Sequence, residues 1–137
     1  MANATVRWAG GQTYIGTDST HHSAVLSTPN DGVGIKPSDL LLIAIGACAS
    51  VDLVDILAKK KICLTSLDVN VTGEQDSDPP WTFRKLHSHF RLRGKGLTEK
   101  AVDHAIHLAE EKYCSVASTV RPTAETSYSF ELIHEEY

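Results

Sequence analysis

The stretch Pro37-Ser38-Asp39-Leu40-Leu41-Leu42-Ile43-Ala44-Ile45-Gly46-Ala47-Cys48-Ala49-Ser50-Val51 decides the fold class. A proline shortly before an apolar run, Leu40 to Val51, broken only by Gly46 and Ser50, reads as the start of a helix, because proline suits a first turn, where an N–H has no helical partner. Asp39 sits where the helix dipole favours negative charge, and Lys59, Lys60 and Lys61 sit where it favours positive charge, so the spacing predicts a helix from Pro37 to Lys61. Its first half is apolar all round and calls for burial on every side. In its second half Val51, Val54 and Leu57 oppose Asp52, Asp55 and Lys59. The apolar run is shorter than the about 20 residues that span a bilayer, which makes it a core helix.

Before this helix, Ala4 to Trp8, Thr13 to Gly16 and Ala24 to Ser27 read as short strands separated by turns at Gly10-Gly11 and Pro29-Asn30-Asp31-Gly32. After it, Leu67, Val69 and Val71 alternate with Asp68, Asn70 and Thr72. Leu86, Ser88, Phe90 and Leu92 alternate with His87, His89, Arg91 and Arg93, and Gly94 and Gly96 are expected to end that strand. Thr98 is a good N-cap for a helix whose buried stripe is Val102, Ala105, Ile106 and Ala109, ending near Tyr113. A short helical turn over Ser115 to Val120 stops at Arg121-Pro122, and Tyr128, Phe130 and Leu132 mark a last strand. Segregated strands and helices predict an α+β fold with largely antiparallel sheet.

The bounds are those of one globular domain: 137 residues, 42% hydrophobic, 22% charged and net charge −4. This balance gives no basic footprint for nucleic acid and no attraction to an anionic membrane. No secretory signal is expected from the opening residues. Three cysteines, Cys48, Cys63 and Cys114, are too few and too odd for a secreted disulfide scaffold, so thiols in a cytoplasmic setting are expected. No cofactor motif and no metal motif stands out. His87 and His89 share a strand face, and His104 and His107 share a helix face, but paired polar residues toward solvent account for both.

Cys48 and Cys114 each have two readings. A free cysteine in an apolar helix is ordinarily a small buried hydrophobe. A thiol at a helix start, as at Cys114, is one whose pKa is ordinarily lowered. On a helical wheel Cys48 shares its face with Asp52, whose charge opposes thiolate formation. A favourable cation or proton donor would have to come from elsewhere, with His22 and Arg7 the candidates. Cys63, at the step from helix to strand, reads as structural.

The chain as a whole resembles the OsmC/Ohr superfamily, and most closely the YhfA-like branch of OsmC-like proteins. The residues that carry the resemblance are Pro37-x-Asp39-Leu40-Leu41 leading to Gly46-Ala47-Cys48, then Asp52-Leu53-Val54-Asp55-Ile56-Leu57, and Glu111-Lys112-Tyr113-Cys114-Ser115-Val116-Ala117. Val6-Arg7-Trp8, the stretch Gly16 to His22, and Ser127 to Glu131 also fit. The resemblance implies an OsmC-like sandwich of antiparallel sheet in an intertwined homodimer, with two long helices at its centre and the active sites at the interface. It implies that Cys48 attacks an organic hydroperoxide, becomes a sulfenic acid and condenses with Cys114, and that a dithiol reductant restores both thiols. Asp39, Asp52 and His22 would have supporting roles. The peroxidase members' arginine has no counterpart between Gly10 and Ser27, and Ser38 stands where the strictest of them place a glutamate. Two further readings therefore stay open: a non-catalytic dimer binding a small apolar or thiol ligand, and a redox-stress sensor.

Overall fold

The computed structural model describes residues 2–30 and 32–135. Asp31, within the expected turn at Pro29 to Gly32, lies outside the described residues. The chain forms two compact units, one up to Leu41 and one from Leu42 onward.

The first unit is a three-stranded antiparallel meander of β1 (Thr5–Trp8), β2 (Thr13–Thr17) and β3 (Ser23–Ser27). A parallel bridge joins Leu26 to Ile35, a pairing that no periodicity announced. Ser27 is buried because its hydroxyl oxygen accepts from the Gly34 N–H at 2.8 Å.

Helix α1 runs Pro37–Lys59, two residues short of the expected end. Ile62 N–H donates to the Leu57 carbonyl and Lys61 N–H to that of Ala58, with Lys61 at φ 61°. This is the Schellman closure, with lysine in the left-handed position usually held by glycine. By length and composition α1 is apolar enough to cross a membrane. Here its stripe Ala49, Leu53 and Leu57 enters the core of the second unit with Phe90, Leu92, Val102, Ala105 and Ile106.

The expectation of burial on every side is corrected. Ile43 is 50% and Val51 65% exposed, and Ala47 and Val54 are exposed beside them. The buried residues Ile45, Ala49, Leu53 and Leu57 recur every four positions and form one narrow seam. The remaining apolar residues exceed what one sheet face can cover. Val51 and Val54 accordingly lie outside, not beside Leu57.

The second unit's sheet has the order β4 (Cys63–Gln75), β5 (Phe83–Lys95), β6 (Glu125–His134). The β4–β5 pair is antiparallel and β5–β6 is parallel, so the sheets are largely antiparallel, as expected, with one parallel pair. Between β5 and β6 the chain passes through α2 (Glu99–Leu108) and α3 (Ser115–Val120), and a crossover of that length returns a strand in the parallel direction. Gly94 does not end its strand. It is buried within β5, because a Cβ there would stand 2.4 Å from the Cys63 carbonyl oxygen. Gly46 lets α1 approach β4, since a Cβ there would stand 3.1 Å from Val71 Cγ2.

Thr98 caps α2 by accepting the Ala101 N–H at 3.1 Å, and the expected stripe Val102, Ala105, Ile106 and Ala109 is fully buried. The helix continues as a wide π-turn over Ala109–Tyr113, closed by the Cys114 N–H donating to the Ala109 carbonyl at 2.8 Å. Among the described residues α1 is the one long helix; α2 has 10 residues.

Candidate active site

Cys48 and Cys114 come together within the second unit. Cys48 stands close enough to Cys114 to push its thiol pKa up. Helix α1 supplies Cys48, and the junction between the π-turn and α3 supplies Cys114. On the α1 wheel, at about 100° per residue, Cys48 falls on the border between the buried seam and the exposed stripe Ile43, Ala47, Val51 and Val54. Its half-buried state fits that position.

Cys114 is 2% exposed. Its sulfur caps α3 by accepting the Ala117 N–H at 3.3 Å. Burial nevertheless pushes this thiol up to about 11, and the contact with Cys48 pushes the same way against the Ala117 bond. The lowered pKa expected from its place before a helix is thus overturned, because desolvation outweighs what one short turn of N–H groups supplies. The two thiols are therefore unequal: Cys114 keeps its proton, while Cys48 is the one with access to solvent. Cys63 is exposed at the start of β4.

Of the other expected residues, Asp52 is half-buried on α1, one turn beyond Cys48. Asp39 and His22 belong to the first unit. Asp39 is exposed in the first turn of α1. His22 is tied into a local turn, where Thr20 Oγ1 lies 2.8 Å from its Nδ1. Its backbone N–H donates to Asp18 Oδ1 at 2.9 Å, which with the Thr20 bonds holds the Asp18 carboxyl below its ordinary value. This turn borders a mostly apolar groove of about 410 Å³ whose walls include Val6, Leu26 and Leu40. Arg7 is exposed on β1.

Two residues that the sequence did not single out meet across the segment that carries Cys114. Glu110, in the π-turn, is 4% exposed with its Oε1 unpartnered. Burial, chiefly, pushes its carboxyl up to about 7 against the pull of Arg121. Arg121, closing α3, donates from Nη2 to the Glu110 carbonyl at 2.8 Å, while its buried Nε–H has no partner.

His87 lies between Ser127 and Ser129, with Oγ atoms 2.7 and 2.8 Å from its two ring nitrogens, and His89 Nδ1 lies 2.7 Å from Ser129 Oγ. These are cross-strand polar pairs on the sheet's outer face, as expected, and His104 and His107 are exposed. Among the described residues no group of three or more His, Cys, Asp or Glu side chains is arranged to hold a metal ion.

The family model described as OsmC-like protein matches residues 29–129. The chain belongs to the OsmC-like family. Protein YhfA of Escherichia coli K12 is 30% identical over 95% of this chain and 97% of its own length. Among solved structures, a hypothetical protein from Aquifex aeolicus VF5 is 26% identical at a TM-score of 0.89, covering 99% of this chain and 98% of that one. The organic hydroperoxide resistance protein OhrB of Bacillus subtilis is 18% identical at a TM-score of 0.64, covering 96% and 98%. This OsmC-like chain thus shares its fold with organic hydroperoxide resistance proteins. Its α+β class and the superfamily named from Cys48, Cys114 and their flanking residues both hold.

Proposed function

We propose that this OsmC-like protein reduces organic hydroperoxides with Cys48 as nucleophile and Cys114 as resolving thiol. The observation that carries the reading is the closeness of two free thiols, one half-buried and one buried, near enough for Cys48 to raise the Cys114 pKa. The Cys48 thiolate attacks the outer peroxide oxygen. The O–O bond breaks, the alcohol leaves with a proton, and Cys48 becomes a sulfenic acid. The Cys114 sulfur then attacks the Cys48 sulfur. Water leaves and a disulfide forms before further oxidation. A dithiol reductant takes up the disulfide in two exchange steps, and no cofactor is required.

The protein acts as a cytoplasmic homodimer in this reading. The uncovered stripe of α1 next to Cys48 supports a second copy, which would bury the stripe and close the nucleophile off from water. Asp52, one turn beyond Cys48 on α1, would orient a polar group or water beside the nucleophile.

The test is stopped-flow oxidation of the reduced protein by cumene hydroperoxide with thiols counted before and after. Rapid loss of two thiols per chain, abolished in Cys48→Ser, is expected. Loss no faster than that of a free thiol would overturn the reading. The groove beside the Asp18–Thr20–His22 turn favours a second one, a binding protein for a small apolar ligand. A fatty acyl probe that raises Tm in Cys48→Ser as much as in the wild type would support it.

A further inference from the structure

Arg121 and Cys114 belong to one folded segment whose two ends touch. The π-turn brings Glu110 inward, Cys114 follows, α3 turns back, and Arg121 returns to the start. There its Nη2 binds the Glu110 carbonyl at 2.8 Å and its Nη1 stands 3.8 Å from the Glu111 carboxylate. Two buried polar atoms in this closure are left over, Glu110 Oε1 and Arg121 Nε. An unpaired buried donor and an unpaired buried acceptor, on two residues already joined by a hydrogen bond, are costly in a fixed scaffold. They are what a contact with two closing states displays in one of them. π-turns also gather at functional sites.

We propose that Arg121 is a positioning residue. It clasps the segment from Glu110 to Arg121 so that the Cys114 thiol is held toward Cys48, and the Glu110 carboxyl sets how tightly the clasp closes. With Glu110 neutral, Arg121 is held by the carbonyl and by Glu111 alone. With Glu110 ionised, its free oxygen draws the unpartnered Nε–H and the clasp tightens. The charged and titratable groups facing Glu110 are Arg121 from the end of α3, Glu111 beside it, and Tyr128 from β6, whose hydroxyl donates to Asp103 at 2.8 Å. The changeover falls near neutrality, since burial holds the Glu110 carboxyl at about 7.

The proposal rests on Cys48 and Cys114 forming a redox couple, and its test separates it from the peroxidase reading. Diamide, a diazene, takes two electrons and two protons from a dithiol, giving the hydrazine and the disulfide whether or not the protein reacts with hydroperoxides. In Arg121→Met, Cys48–Cys114 pairing by diamide is expected to slow about tenfold, within the loss that ångström-scale misplacement causes. Arg121→Lys, which keeps a donor for the Glu110 carbonyl, is expected to recover most of it. Exchange with dithiothreitol is proton-balanced while all thiols are protonated, so its pH dependence reports linked groups. The wild-type constant for disulfide formation is expected to rise a few-fold between about pH 5.5 and about pH 7.5 and to stay flat in Glu110→Gln. Unchanged diamide rates and constants in a folded Arg121→Met would overturn the clasp. So would a Glu110→Gln protein that keeps the full pH dependence, which decides the matter if Arg121→Met does not fold. Normal clasp behaviour without hydroperoxide reactivity would sink the peroxidase reading alone.

Discussion

At the scale of single residues, burial separates two chemically identical thiols. Cys114 is enclosed and protonated, whereas Cys48 stands at a border open to solvent. Removing one or the other therefore has different consequences. Cys114→Ser is expected to leave Cys48 able to meet hydroperoxide but without its resolving partner. Intact mass after excess oxidant should then show the gain of two oxygens, a sulfinic acid, in place of the loss of two hydrogens expected of the wild type. Cys63→Ser should behave as wild type, and protection of Cys48 without Cys114 would contradict the pairing. Glu110 carries a second expectation. Its folded pKa of about 7 lies above its ordinary 4.5, so the native state binds the extra proton. Its contribution to stability is complete below about pH 4.5 and is lost as pH rises through about 7. Urea unfolding should show the wild type losing at most about 3 kcal/mol across that window, a loss that Glu110→Gln largely removes. A pH-independent difference between the two proteins would contradict this assignment. The cysteines were legible in their flanking motifs. Glu110 was not, because a straight helix puts residue 110 on the flank of the stripe 102, 105, 106 and 109. Only the π-turn, which has no residue signature, rotates it inward.

At the scale of elements, local chemistry was legible wherever one residue decides the outcome. Thr98 caps α2 and Pro37 opens α1, as their chemistry requires. Thr98→Ala is expected to cost about 1 kcal/mol, read from a denaturant midpoint shift at constant m. The end of α1 ran otherwise, because three successive lysines suit a helix dipole and conceal that the second and third have left the helix. Lys61 holds φ 61°, where a side chain is strained by about 1 kcal/mol. Lys61→Gly is expected to raise stability by about 0.5–1 kcal/mol despite its added unfolded-state freedom. A lower Tm in Lys61→Gly would show that the lysine side chain contributes more than its backbone costs. The parallel β5–β6 pair was legible in principle, since a strand, two helices and a strand form a crossover. The alternation within β6 carries no direction, and the segregated order of the earlier elements suggested antiparallel pairing.

At the scale of the whole molecule, α1 sets the terms. A helix with two apolar stripes satisfies one of them inside its own chain. Ile45, Ala49, Leu53 and Leu57 reach the core, while Ile43, Ala47, Val51 and Val54 do not. The sequence told that this helix needs cover on more than one side, and a single chain supplies it on one. In the homodimer proposed above a second copy would supply the rest, because a self-complementary patch repeated by a two-fold axis buries itself twice. Cys48, on the border of the uncovered stripe, would then be shielded by assembly, and its reactivity would depend on protein concentration. Val51→Glu tests this directly: Val51 is 65% exposed in the single chain, so the substitution spares the folded core and places a charge only where a partner would sit. Light scattering at micromolar concentration is expected to give a dimer for the wild type and a monomer for Val51→Glu, a weakening of at least about a hundredfold, or about 3 kcal/mol. Diamide should still join Cys48 to Cys114 in that monomer, because the pair lies within one chain, while the hydroperoxide rate falls toward that of a free thiol. A Val51→Glu protein with wild-type mass would place the partner elsewhere. A monomer with undiminished hydroperoxide rate would mean that the nucleophile is completed by its own chain.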